Sequence, residues 1–310
     1  MREHRAAIVS FNYASDGWFE SNYHGRWFNF DNGLRRTTDQ PQHPQHSIFV
    51  IGSSTVLDLD VPDNATIPSL LQKLFNAHYL HTYQVLNIGL SALNASQELA
   101  RLHSVVLQPG DIVVFYDGVV DAGDAGANRL DFRRGRSLTG KACNWFERTV
   151  PDLALGQLYC EWVTQSLPPV GQDPADPARA LADSQNYAKI IESVAHYTKA
   201  KGAQFYHFLQ PHLLSQPLQP SEQEILNNHV NVPADEVTRI TLAWPFFEEA
   251  QQSLAGDGIA SWDFTHLLDA ARSQHMSLYL DLVHVTERAN DIIAGAMFDR
   301  IQAYQDSRVF

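Results

Sequence analysis

Apolar runs and helical periodicities alternate through the first half of the chain. Ser47 to Ile51 (Ser-Ile-Phe-Val-Ile) is almost continuously apolar and is closed by Gly52, the mark of a strand buried on both faces. From Thr66 to His78 the apolar positions 67, 70, 71, 74 and 75 recur at helical spacing. Tyr83 to Ile88 predicts a second strand and Ala95 to Val106 a second helix. After the punctuation of Pro109-Gly110, Asp111 to Tyr116 (Asp-Ile-Val-Val-Phe-Tyr) is the clearest strand of all. Strands alternating with helices predict a parallel sheet with right-handed crossovers.

The regularity lapses between Asp117 and about Asp183, where Leu167-Pro-Pro-Val-Gly-Gln-Asp-Pro-Ala-Asp-Pro cannot be an element interior. The pattern predicts an insertion at about 122–183 over the top of the sheet. It resumes with a helix over Tyr187 to Lys201, a strand over Gln204 to Leu209, helices over Val237 to Ala255 and Phe264 to Arg272, and a last helix from Thr286 to about Tyr304. Ahead of the first strand, Phe11, Tyr13, Trp18, Phe19, Tyr23, Trp27, Phe28 and Phe30 make residues 1–46 an aromatic-rich extension expected to pack on a main domain of residues 47–310. Aromatics mostly supply buried area, so an arm on the sheet edge or in a subunit interface is preferred to a sugar-stacking wall or an acyl lid.

Charge narrows the partners. The 310 residues hold 35 Asp+Glu against 22 Lys+Arg, a formal net charge of −13, and the only dense basic run is Arg133, Arg134 and Arg136. Nucleic-acid binding, which needs a clustered basic surface, is not expected. With 44% hydrophobic and 18% charged residues, the composition is that of a globular protein. No window approaches the ~18 apolar residues of a membrane span, and the residues after Met1 carry no apolar leader. The expectation is a cytoplasmic location if Met1 is the native start, and a periplasmic or extracellular one if a leader was removed. Cys143 and Cys160 are too few for a disulfide scaffold or a four-cysteine zinc site, and one bridge between them stays open. The pairs His43/His46 and His78/His81 lack a carboxylate at ligand spacing, so no metal is expected. Neither Walker-type nor Gly-x-Gly-x-x-Gly loops occur, and no cofactor is expected.

In a parallel sheet the residues just beyond the strands' carboxyl ends are where ligands bind. Those residues are Gly52-Ser53-Ser54-Thr55, Asn87-Ile88-Gly89, Asp117 to Asp121, Gln210-Pro211-His212 and Asp281 to His284. A serine there can act as a nucleophile if a histidine takes its proton, and a carboxylate three residues before that histidine can orient the ring. Ser54, His284 and Asp281 are therefore a candidate triad. A second Asp-x-x-His, Asp263 to His266, fits better as a helix start. The later pair follows the apolar Leu278-Tyr279-Leu280 and leads through Thr286, a candidate N-cap, into the last helix. The Gly-x-Ser-x-Gly elbow of ordinary α/β-hydrolases is absent.

These blocks resemble the SGNH (GDSL-like) hydrolases, in particular members found beside bacterial surface-glycan genes. Ile51-Gly52-Ser53-Ser54-Thr55 is similar to the nucleophile block, Asn87-Ile88-Gly89 to the second block, and Asp281 with His284 to the last, in order over roughly residues 34 to 305. The resemblance implies a three-layer α/β/α sandwich with a parallel, flavodoxin-like sheet. It also implies a serine esterase or acyltransferase acting on a small O-acyl group, most plausibly acetyl, of a carbohydrate. Ser54, His284 and Asp281 would be catalytic, the Ser54 and Gly89 amides would bind the oxyanion, and Asp121, Gln210 and His212 would face the substrate. One block departs: the family's Gly-x-Asn-Asp reads Gly118-Val119-Val120-Asp121, and Val120 cannot donate the hydrogen bond expected of Asn. One lost donor costs on the order of 3 kcal/mol of transition-state stabilisation. The alternative is a catalytically weak or inactive relative that binds a glycan or a protein in the same cleft.

Overall fold

The computed structural model describes residues 22–125, 176–228, 234–274 and 276–307. Arg133, Arg134, Arg136, Cys143, Cys160, the first four aromatics of the N-terminal stretch and most of the expected insertion lie outside these residues.

A short antiparallel ribbon comes first, with β1 (Tyr23–His24), β2 (Asn29–Asp31) and β3 (Leu34–Arg35). Five parallel strands follow: β4 (His46–Gly52), β5 (Tyr83–Asn87), β6 (Ile112–Asp117), β7 (Gln204–Leu209) and β8 (Ser261–Asp263). The sheet order is β1-β2-β3-β5-β4-β6-β7-β8, so the parallel part starts in its middle and winds outward to both sides. The central strands are apolar through their middles because both faces are covered: Ile48, Val50, Ile51, Val113, Val114 and Phe115 are all fully buried.

The helices are α1 (Ser54–Leu57), α2 (Ile67–Tyr79), α3 (Ala95–Leu102), α4 (Val119–Asp124), α5 (Pro177–Ala200), α6 (Pro220–Asn228), α7 (Ala234–Gly256), α8 (Asp269–Arg272) and α9 (Glu287–Asp306). Helices α2 and α9 pack on each other in one layer, and α5 packs on both α3 and α7 in the other. The result is a three-layer α/β/α sandwich, as expected.

Local chemistry explains several boundaries. Thr66 caps α2, accepting from the Ser69 N–H at 3.3 Å, and Asn94 with Gln97 forms a reciprocal capping box on α3. Helix α5 begins ten residues before the expected Tyr187, inside the supposed insertion. Pro177 holds the first helical position, where a missing N–H is harmless, and Asp176 caps it by accepting from Ala178 N. The expected helix over Phe264 to Arg272 shrinks to α8, with turns over 265–268, and residues 261–263 extend the sheet as β8. Leu278 to Leu280 is not a sheet strand; Tyr279 makes a single antiparallel bridge to Val285.

Candidate active site

The carboxyl ends of β4, β6 and β7 lie side by side, with Gly52 opposite Tyr116 and Asp117 opposite Leu209. Ser54 opens α1 immediately beyond β4 and is half-buried. The turn before it requires glycine, since a Cβ on Gly52 would collide with Tyr116 O and the Val56 side chain. Gly89 is wedged against the same helix: a Cβ there would stand 2.6 Å from Leu57 N and 2.7 Å from Val56 Cβ.

Asp281 and His284 form a closed loop. Asp281 Oδ2 lies 2.6 Å from His284 Nδ1, while its Oδ1 accepts the backbone N–H groups of His284 at 2.6 Å and of Val283 at 2.8 Å. Burial alone would raise the Asp281 carboxyl, but these bonds and the neighbouring imidazole hold it below the usual carboxylate range. Burial would likewise lower His284, yet the hydrogen bond and charge of Asp281, with Asp60 and Asp58 adding to them, lift it above the ordinary histidine value. With Nδ1 committed to Asp281, Nε2 is the nitrogen left to take a proton. The rival pair does not form: Asp263 Oδ1 accepts from Thr265 N at 2.8 Å, and His266 turns to Asp269 at 2.7 Å.

Helix α9 starts three residues after His284 with Thr286 at its N-cap, although the Thr286 side chain makes no capping bond. Asn290, one turn into α9, reaches Asp58 at the end of α1. The helix that follows His284 is thereby fastened to the helix that begins at Ser54. Among the described residues, no hydrogen bond joins Ser54 Oγ to His284.

The remaining expected residues behave differently. The Gly89 N–H, expected to bind an oxyanion, donates to Asn87 Oδ1 at 3.1 Å, while Asn87 Nδ2 donates to Val56 O at 2.8 Å. In the resting structure that amide is engaged. Asp121 caps the neighbouring helix instead of standing free, accepting the Ala95 N–H at 3.0 and 3.3 Å through its two oxygens. Burial and the Asp117 charge push its carboxyl well above the usual range. Val120 sits in the first turn of α4, behind Gly118 with its φ of 111°. His212 is buried, and its Nδ1 accepts the Leu214 N–H at 3.2 Å. Desolvation, with the Arg272 charge, lowers its pKa to about 3, so the ring is neutral and its Nε2 carries the proton. Gln210 is 1% exposed. Among the described residues no group of His, Cys, Asp and Glu could hold a metal ion.

Beneath the strand ends lies a polar network that the pattern of the chain did not reveal. Tyr187 donates to Asp117 Oδ1, His207 Nε2 lies 3.2 Å from the same oxygen, and His207 Nδ1 is 2.6 Å from Ser261 Oγ. Glu98 is fully buried against Asp117, and burial with the Asp117 charge pushes it far above the carboxylate range, so it is the protonated partner. A signal existed: Glu98 interrupts the apolar face that Ala95 and Leu102 define on α3.

No family model and no curated protein matches this sequence. Among solved structures, it is similar to a lipolytic protein of the G-D-S-L family from Veillonella parvula, with 12% identity and a TM-score of 0.46, covering 81% of this chain and 94% of that one. It is also similar to the acetylxylan esterase Axe2 from Geobacillus stearothermophilus, with 13% identity and a TM-score of 0.45, covering 83% and 94%. A third, LAE5, an α/β hydrolase enzyme from the metagenome of Lake Arreo in Spain, matches at 14% identity and a TM-score of 0.46, covering 83% and 95%.

Proposed function

We propose that the protein is a serine ester hydrolase or acyltransferase that removes a small O-acyl group, acetyl by preference, from a carbohydrate. The observation that carries this reading is the three-fold clasp of Asp281 on the His284 ring and on the backbone N–H groups of Val283 and His284. It fixes one tautomer and leaves Nε2 to act as the base. Ser54 supplies the nucleophile from the end of β4. Its Oγ attacks the acyl carbon as His284 Nε2 takes the hydroxyl proton, and the imidazolium then protonates the departing sugar oxygen. Water, or a second sugar hydroxyl, resolves the acyl-enzyme by the reverse sequence. The net charge of −13 suits a neutral acyl sugar better than an anionic polymer. Gln210 and His212 remain the proposed substrate-facing polar groups, while Asp121 is taken up by the Ala95 N–H.

A second reading, a protein that binds a glycan or protein partner without turning it over, is favoured by the engaged Gly89 amide and by Val120. An active-serine phosphonate probe and p-nitrophenyl acetate, applied to the protein and to Ser54→Ala, separate the two. Covalent labelling that Ser54→Ala abolishes supports the hydrolase; equal labelling of both proteins, or none of either, removes Ser54 as nucleophile.

A further inference from the structure

Stabilising an oxyanion takes preorganised donors, and this strand-end cluster is short of them. The Gly89 amide is engaged by Asn87, and Val120 has nothing to donate. Gln210 has. It follows β7, is 1% exposed, and neither its Nε2 nor its Oε1 meets a partner. Native structures seldom leave a buried amide in that state. Gln72, equally buried, shows the usual outcome: its Nε2 donates to Asn76 Oδ1 and Tyr83 O, and its Oε1 accepts from Val85 N.

The backbone fixes where Gln210 stands. Its N–H donates to Asp117 O at 2.9 Å, so it sits one strand over from Gly118, which in turn neighbours the Gly52–Ser54 turn. Pro211 restricts it to an extended conformation. Three residues on, Leu213 N donates to Leu282 O at 2.9 Å, stitching this loop to the one that carries Asp281 and His284. Gln210 is thus bracketed by the proposed nucleophile's strand end and the proposed base's loop.

We propose that the Gln210 side-chain amide is the oxyanion donor of this site. The inference rests on Ser54 being the nucleophile. When Ser54 Oγ bonds to the acyl carbon, the carbonyl π pair moves onto oxygen, and Nε2–H donates to it. The pair returns to re-form the carbonyl as the C–O bond to the leaving alcohol breaks, and His284 passes that alcohol its proton. Oε1 remains to accept from a substrate hydroxyl.

The test compares Gln210→Leu with Gln210→Met, two apolar side chains of different shape that both remove the donor, using p-nitrophenyl acetate. Both should lower kcat by ~100- to 1000-fold with KM within about threefold, and both should slow phosphonate labelling in parallel. The acid limb set by His284 should stay where it is. A kcat within fivefold of the parent while labelling still depends on Ser54 overturns the inference alone; labelling that survives Ser54→Ala overturns the reading beneath it. Should either variant fail to fold, the crystal structure of the parent's phosphonate adduct decides. Nε2 within hydrogen-bond distance of the phosphonyl oxygen supports the assignment, and a bridging water or a turned-away side chain refutes it.

Discussion

Asn290 Nδ2 lies 2.6 Å from Asp58 Oδ2, and the same amide donates to Ala65 O at 3.0 Å. One side chain therefore ties α9 to the end of α1 and to the turn before α2, holding the histidine side of the candidate site to the serine side. Asn290→Ala leaves Asp58 buried without this donor and should cost about 1–3 kcal/mol. Chemical denaturation measures the loss. Activity should fall further than stability predicts, because the two helices lose their shared fastening.

Asp58 makes stability pH-dependent. Desolvation raises its carboxyl from 3.8 to about 6 despite the Asn290 bond and the Arg35 charge. A folded pKa above the unfolded one stabilises fully below pH 3.8, and this contribution is lost as pH rises through about 6. Asp58→Asn keeps an acceptor for Asn290 and suits the φ of 50° at this position. It should raise Tm at pH 8, by at most about 3 kcal/mol of stability, and leave it unchanged at pH 4. Thermal unfolding at the two pH values checks the sign.

Catalysis should titrate with His284. The imidazole must be neutral to accept the Ser54 proton, and Asp281 raises its pKa. The acid limb of kcat/KM is expected above the ordinary histidine value of about 6.5. Asp281→Asn should move that limb to lower pH and reduce kcat by ~10⁴, the scale of losing the orienting carboxylate in a triad. A pH–rate profile of both proteins is the measurement. An unshifted limb would remove His284 as the titrating base.

Glu98 is the protonated member of a buried carboxyl pair with Asp117. The contribution of its raised pKa is full below the unfolded carboxyl value and is lost as pH climbs towards the folded one. Glu98→Gln removes the titrating carboxyl, sets a permanent N–H donor beside Asp117 and should raise Tm at pH 8. Glu98→Leu, which cannot donate to Asp117, should lower it.

Gly89→Ala tests the packing under α1. With Cβ contacts of 2.6 to 2.8 Å to Leu57 N and Val56, the helix must move. Overpacking of this kind costs about 1–3 kcal/mol, and displacement of Ser54 should depress kcat with little change in KM.

The parallel strands were legible because burial on both faces writes them as unbroken apolar runs, as in Asp111 to Tyr116. Strand β8 was not: only three residues long, with Trp262 and Asp263 partly or fully exposed at its edge, it carries no periodicity to read. The start of α5 was hidden because Pro177 closes a proline-rich run of sequence and is also the first residue of a helix. Side-chain hydrogen bonds are harder still. That Asp281 and His284 would meet follows from their spacing, and the Asn87 oxygen on the Gly89 amide is equally local, but the bond from Asn87 Nδ2 to Val56 O depends on how α1 docks on β5, a tertiary fact. Asp121 as a cap on α3 is likewise a contact 26 positions away in the chain.

The sheet's two margins have a further consequence. On one side β3 joins β5 through a single residue pair, Arg35 with Asn87, and carries the β1–β2 hairpin outboard of it. On the other, β8 offers only three residues. The long, apolar strands at the centre therefore never present an open ladder to a neighbouring chain. Deleting the whole β1–β3 ribbon would take from β5 its one strand partner on that side among the described residues, and the first symptom would be self-association during refolding, before any loss of chemistry.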